Sequence, residues 1–188
     1  MTSAIEITEV AGGVHAALSH EFLKALEIEA ALQGVSARLA AEHGVHEDQL
    51  RSIRSCLAAI DQLFGYPMSV SVFEAFAHLN VRFHEAVLRL YPYAASLAGP
   101  RKRDLVTPFK LPDILPAVQA NLGLFQRILV LEQEQHRSII EAIGHGHGAR
   151  AEDLLRDHSR LAERQLARDR ALRADAIVNG GSNVERQA

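Results

Sequence analysis

The prolines of this chain are concentrated in one stretch, which leaves long segments on both sides free to form helices. Five of the six prolines lie between Pro92 and Pro116. Because proline removes a backbone donor and breaks a helix interior, the proline-free segments are the ones that can fold as long helices. Strand-like alternation of apolar and polar residues is absent from these segments. The sequence therefore predicts an all-α protein.

Apolar spacing and helix-end signals place the individual helices. The predicted segments are residues 14–43, ending at Gly44, then 47–64, 71–91, a short helix after Pro92, 117–143 and 149–177. Ser71 and Glu74 have the spacing of a capping box for the third segment. We expect an antiparallel bundle of six to seven helices over residues 21–178. We expect residues 1–20 to form an N-terminal extension and residues 179–188 to form a disordered tail.

Composition excludes several classes of protein. The formal net charge of the 188-residue chain is −3, which gives no general attraction to nucleic acid or to membranes. Cys56 is the single cysteine, so no internal disulfide can form, and its place in an apolar helical row indicates a packed thiol. The N-terminus lacks the features of a secretory signal, and no apolar run is long enough to cross a bilayer. We expect a cytoplasmic protein.

Three histidines fall within apolar rows on three different helices. His84 lies in the row of the third segment, His136 in the row of the segment at 117–143, and His158 in the row of the last segment. Asn80 precedes His84 by one turn on the same face. Any one buried imidazole is more often a hydrogen-bonded core residue than a ligand. Three of them beside an amide favour convergence on a divalent metal in the interior of the bundle.

Two other polar clusters have simpler interpretations. His145 and His147 alternate with glycines from Gly144 to Gly148, which is the pattern of a tight turn between two helices rather than of a metal-binding tract. The basic run at residues 101–103 could contact phosphate, but a solvated loop explains it better.

Several segments resemble the FCD domain, the effector-binding half of many GntR/FadR-type transcription regulators. The similarity is carried by LEIEAALQGVSARLAA at residues 26–41, LNVRFH at 79–84 and HRSIIEAI at 136–143, with His158 following 22 residues after His136. It covers roughly residues 21–167. In that family, an Asp or Asn and three His bind a divalent metal facing an internal cavity, where small organic acids bind. The resemblance implies Asn80, His84, His136 and His158 as the ligands.

The chain departs from that family in two ways. Regulators of this type have a winged helix-turn-helix before the FCD domain, whereas only about 20 residues precede the resemblance here. We therefore expect a stand-alone domain without direct DNA binding. The family also usually has an arginine followed four residues later by glutamate, where this chain has Glu29 and Gln33. Glu29 could act as a catalytic base or be an exposed helix residue, and Gln33 is a candidate for the substrate pocket.

The ligand set constrains the chemistry. Three neutral imidazoles and a neutral amide leave the two positive charges of a metal uncompensated, so we expect an anionic or oxygen-rich small molecule to bind. Zinc is the first choice, with nickel, manganese, iron and cobalt as alternatives. We expect a metal-dependent lyase or isomerase acting on a small organic acid or aromatic substrate. The alternatives are a stand-alone effector-sensing domain and a purely structural metal, and the family resemblance also suggests a homodimer.

Overall fold

The protein is all-α over the residues that the computed structural model describes, which are 20–97, 111–161 and 164. Seven helices occur in these ranges, and no strand does, so the predicted fold class is confirmed. The helices are α1 (His20–His43), α2 (Glu47–Leu63), α3 (Val70–Arg89), α4 (Pro92–Leu97), α5 (Leu111–Ala120), α6 (Leu122–Gly144) and α7 (Gly148–Ser159).

Two helix boundaries differ from the sequence prediction. Ser69, not Ser71, caps α3, because the Ser69 hydroxyl accepts a hydrogen bond from the backbone N–H of Val72 at 3.2 Å. The cap therefore lies two residues earlier than predicted, and it is a serine alone, because Val72 stands where a capping box needs Glu or Gln. The helix predicted at 117–143 is two helices, since the chain turns by 109° between α5 and α6. Asn121 stands at this bend with φ −147° and ψ 51°, outside the helical region.

The connections around α1 and α7 match the prediction. Gly44 follows α1 with φ +88°, a conformation that glycine adopts without strain. Gly146 has φ +74° in the turn between α6 and α7, where the exposed His145 and His147 lie. This segment is thus a helix-to-helix turn, as the glycine spacing predicts.

The apolar core lies mainly between α2, α3 and α6. The predicted α3 row supplies Phe76, Phe83 and Val87 as buried side chains, while α2 adds buried isoleucines and leucines. Phe73 of α3 meets Phe125 of α6 edge to face, with ring centroids 5.6 Å apart. Cys56 is half-buried beside this core, and its thiol donates to the carbonyl oxygen of Leu79 at 3.4 Å. This placement agrees with a packed thiol.

Small residues bring α1 and α7 into close contact. A Cβ added to Gly148 would lie 2.9 Å from the carbonyl oxygen of Arg38, and one added to Gly34 would lie 3.0 Å from Cγ of Glu152. Glycine at both positions therefore lets the two backbones approach. Arg38 and Glu152 also form an ion pair at 2.6 Å across this interface. The close approach fixes the position of α7 relative to α1.

Several predictions fall outside the described residues. They concern the N-terminal extension, the basic run at 101–103, the continuation of the last helix towards residue 177, and the tail. Within the described ranges, no single helix is both long enough and apolar enough to cross a membrane.

Candidate metal centre

Three histidines from three helices meet in the interior of the bundle. Nε2 of His158 lies 3.1 Å from Nε2 of His136 and 3.3 Å from Nε2 of His84. The candidate ligand atoms of all three lie within 4.8 Å of one another. Three nitrogens placed at about 2.0–2.1 Å around one tetrahedral zinc are separated by about 3.3 Å. The three imidazoles are therefore close enough to hold a metal ion.

Helical periodicity explains why these side chains converge. His136 lies in the same α6 row as the buried Ile139 and Ile143, and His158 follows the buried Leu155 on α7 by three residues. On α3, Phe83 is fully buried beside His84, and its ring packs against His136 with centroids 4.0 Å apart. Apolar neighbours on each helix thus turn the three histidines inward.

The three imidazoles are almost completely removed from solvent. Their exposed fractions are 9% for His84, 0% for His136 and 8% for His158. Burial lowers the pKa of His158 to about 4. Burial and the neighbouring imidazoles lower the pKa of His84 and of His136 well below the usual 6.5. All three are consequently neutral at pH 7, the form that binds a metal.

Each imidazole meets the side-chain oxygen of a glutamine at its other nitrogen. Nδ1 of His84 lies 2.7 Å from Oε1 of Gln33. Nδ1 of His158 lies 3.0 Å from Oε1 of Gln135, and Nδ1 of His136 lies 3.3 Å from Oε1 of Gln133. The Nε2 atoms remain as the ones that face each other. Because two bare nitrogens 3.1 Å apart repel each other, either a proton shared in an N–H···N hydrogen bond or a metal cation must lie between them.

The side-chain oxygen of Asn80 is a further buried atom that a metal ion could satisfy. This Oδ1 atom has no hydrogen-bond partner within the described part of the chain. A buried polar atom without a partner costs roughly 1–3 kcal/mol. Asn80 precedes His84 by one turn on α3, so it lies on the helix face that carries a histidine of the triad. An amide oxygen is also an acceptable metal ligand, and the orphaned atom fits that role.

Glu29 is buried rather than exposed. Only 7% of this residue is accessible to solvent, and its carboxyl accepts a hydrogen bond from Nε2 of Gln33. Burial raises the pKa of Glu29 to about 8, although the hydrogen bond from Gln33 partly offsets the rise. Because Gln33 also contacts His84, Glu29 is joined to the triad through one side chain.

Three further polar residues on α6 were missed by the sequence analysis. Gln133 is buried within the row Leu129, Gln133, His136, so a polar residue in an apolar row was the available signal. Gln135 precedes His136 and carried no such signal. Burial raises the pKa of Glu132, one turn before His136, to about 7. Glu132 also gave no recognisable pattern.

The donor set defines what the site can hold. Imidazole nitrogens and an amide oxygen suit zinc and the neighbouring transition metals, and no thiolate belongs to the cluster. No family model matches the chain. No curated protein is significantly similar to it either. The internal cavity that the sequence predicts stays a prediction.

Proposed function

We propose that this protein is a metal-dependent enzyme built on an FCD-type helical bundle. One observation supports this proposal most strongly: three neutral imidazoles present Nε2 atoms 3.1 and 3.3 Å apart while each Nδ1 is already hydrogen-bonded. A single metal ion would satisfy the lone pairs of all three Nε2 atoms at once. His84, His136 and His158 would hold the metal, with the buried oxygen of Asn80 as a fourth ligand.

Zinc is our first choice for the metal, ahead of nickel, manganese, iron and cobalt. Three histidines with water in an open position are a common catalytic zinc set, and with Asn80 as a fourth protein ligand a metal of higher coordination number would still have open positions. Soft sulfur ligands are missing from the cluster. None of the four proposed ligands is negatively charged. A divalent ion bound here would keep its charge and would polarise a carbonyl, carboxylate or alkoxide of an anionic or oxygen-rich substrate.

Glu29 is our candidate for the acid–base residue. With a pKa of about 8, its carboxyl is mostly protonated at pH 7 but still exchanges its proton close to neutrality. Such a group can donate a proton to a substrate and take one back, which suits a lyase or isomerase acting on a small organic acid or aromatic compound. Gln33 holds Glu29 next to His84 and would line the substrate pocket.

A stand-alone effector-sensing domain is the second candidate. The residues shared with the FCD domain favour it, because such domains bind small organic acids without converting them. This candidate uses the same metal and the same ligands. It differs in one measurable respect, which is that the bound molecule leaves the protein unchanged.

Metal analysis followed by a search for turnover tests the proposal. Protein purified without a histidine tag is assayed for bound metal, and small acids and aromatic alcohols are then screened by thermal shift. Compounds that bind are incubated with the wild type and with Glu29→Gln and are followed by NMR. Glu27→Gln is the matched control, since Glu27 lies on the same helix but is exposed.

The proposal predicts consumption of a bound compound by the wild type and by Glu27→Gln. Glu29→Gln would keep the metal and lose turnover. A compound that stabilises the protein but is never consumed would favour the sensing domain. Protein without stoichiometric metal would remove both candidates. The cytoplasmic location and the homodimer remain predictions, and light scattering of the purified protein checks the dimer.

A further inference from the structure

Three glutamines surround the histidine cluster, one for each imidazole. Gln33 on α1 meets His84 on α3, Gln133 meets His136 within α6, and Gln135 on α6 meets His158 on α7. In every case the glutamine oxygen faces Nδ1 of the histidine. The pattern is the same although the pairs come from different helices and have different separations along the chain.

The amide of Gln133 has its orientation fixed from outside the cluster. Its Nε2 donates to the carbonyl oxygen of Leu57 at 3.0 Å and to Oδ1 of Asp61 at 2.6 Å. Both partners are acceptors, so the amide nitrogen must face them and the amide oxygen must face His136. Arg137 holds Asp61 in turn at 2.6 Å. The oxygen beside His136 is therefore set by α2 as well as by α6.

Gln33 is oriented in a similar way from the other side of the cluster. Its amide nitrogen donates to the carboxyl of Glu29, which leaves its oxygen for His84. An oxygen acceptor at Nδ1 stabilises the tautomer that carries its proton there. In a neutral imidazole, Nε2 is then a bare lone pair.

We propose that Gln33, Gln133 and Gln135 are positioning residues that hold His84, His136 and His158 in the Nδ1–H tautomer, with the three Nε2 atoms aimed at one point. The consequence for a bound metal rests on the function proposed above. Histidine ligands are often held by carboxylates, which add negative charge around the metal. Three amides orient the rings without adding charge, so they preserve the attraction of the centre for anions.

The tautomers can be read directly by long-range ¹H–¹⁵N NMR of the metal-free protein at pH 7.5. The proposal expects all three histidines of the wild type to carry the proton on Nδ1. Gln33→Leu, Gln133→Leu and Gln135→Leu should each change the signals of the partner histidine alone. Gln119→Leu, on the exposed face of α5, is the control and should change none of them.

Zinc titration supplies the second measurement. Each Gln→Leu variant should bind Zn²⁺ about 10- to 100-fold more weakly, the usual effect of losing an outer partner of a metal ligand. Gln135→Glu keeps an acceptor at His158 and adds charge, so it should retain the tautomer and bind Zn²⁺ more tightly. Because Gln135 is only partly buried, its two variants remain informative if replacement of the buried Gln133 prevents folding.

The outcomes separate this inference from the proposed function. A wild-type histidine of the cluster with its proton on Nε2, or a tautomer that survives removal of its glutamine, would overturn the inference even if the protein binds metal. Three Nδ1–H tautomers that depend on their glutamines would support it even in a protein that shows no catalytic turnover.

Discussion

The bundle contains two buried regions whose side chains interact in different ways, one through apolar packing and the other through hydrogen bonds. The apolar core between α2, α3 and α6 consists of aliphatic and aromatic side chains that need only contact and volume. The polar centre lies on α1, α3, α6 and α7. Within the described ranges, it holds the buried polar residues Glu29, Gln33, Ser36, His84, Gln133, His136 and His158, together with the buried Oδ1 atom of Asn80.

The two regions should respond differently to substitution. Removing an apolar side chain leaves a cavity whose cost depends on its volume, and its neighbours stay intact. Removing one member of the polar centre leaves a partner without its hydrogen bond, so the effect extends to the next residue. Ser36 is one example. Its hydroxyl donates to the carbonyl oxygen of Val87 at 2.9 Å and accepts from the backbone N–H of Tyr91 at 3.1 Å, so its removal would affect both backbone groups.

The largest effect on metal binding is expected from His158→Ala. His158 is the histidine whose Nε2 contacts both other members of the triad, so its loss removes the middle of the cluster. Loss of a residue that only hydrogen-bonds to a metal ligand weakens binding by up to roughly 100-fold, and we expect Zn²⁺ affinity to fall by more than that here. Isothermal titration calorimetry measures the affinity. His147→Ala, an exposed histidine in the nearby turn, is the control, and equal losses in both variants would contradict the assigned site.

The largest effect on stability is expected from Ile60→Ala in the apolar core. Ile60 is fully buried on α2, and truncation of such a residue costs roughly 2–5 kcal/mol. Urea unfolding measures the loss, with Ile28→Ala as a control because Ile28 is 56% exposed. Metal content per folded molecule should not change. Loss of metal from folded Ile60→Ala would show that the two regions are not separable.

This contrast also describes what the sequence could predict. Apolar spacing gave the all-α fold and the inward direction of the three histidines, since both follow from the period of the helix. It did not give the bend at Asn121, because Leu122 and Phe125 continue the apolar row of Val118 across it. The glutamine partners also escaped prediction. Their roles depend on contacts between helices, such as Gln33 with His84, that one sequence does not specify.

Glu29→Gln should change stability in a pH-dependent way. The folded protein keeps a proton on Glu29 up to a pKa of about 8, whereas the ordinary pKa is 4.5. The folded state therefore binds more protons between these values, and the contribution of Glu29 to stability falls as pH rises through that range. Glutamine has no proton to lose. The stability of the variant relative to the wild type should therefore rise from pH 5 to pH 8 and stay constant above pH 8. The difference should reach a few kcal/mol.

Urea unfolding across this pH range compares Glu29→Gln with Glu27→Gln, whose site is exposed. The histidines act in the opposite direction, because their lowered pKa values make the fold lose stability as pH falls from 6.5 towards 4. This acid-side loss should be the same in both variants. A difference between Glu29→Gln and the wild type that does not vary with pH would show that Glu29 is already ionised in the fold.

The smallest effect on stability is expected from Asn80→Leu. This variant is also the most direct test of whether Asn80 binds the metal. The oxygen of Asn80 is buried without a partner, so in metal-free protein its removal should cost nothing and can stabilise the fold by about 1–3 kcal/mol. The same change should weaken Zn²⁺ binding if this oxygen is a ligand. Thermal unfolding with and without Zn²⁺ separates the two effects, because the variant should be more stable without metal and gain less when metal is added. A variant that loses stability without metal, yet keeps its full gain from Zn²⁺, would place Asn80 in the scaffold and leave the three histidines as the only protein ligands assigned on the described residues.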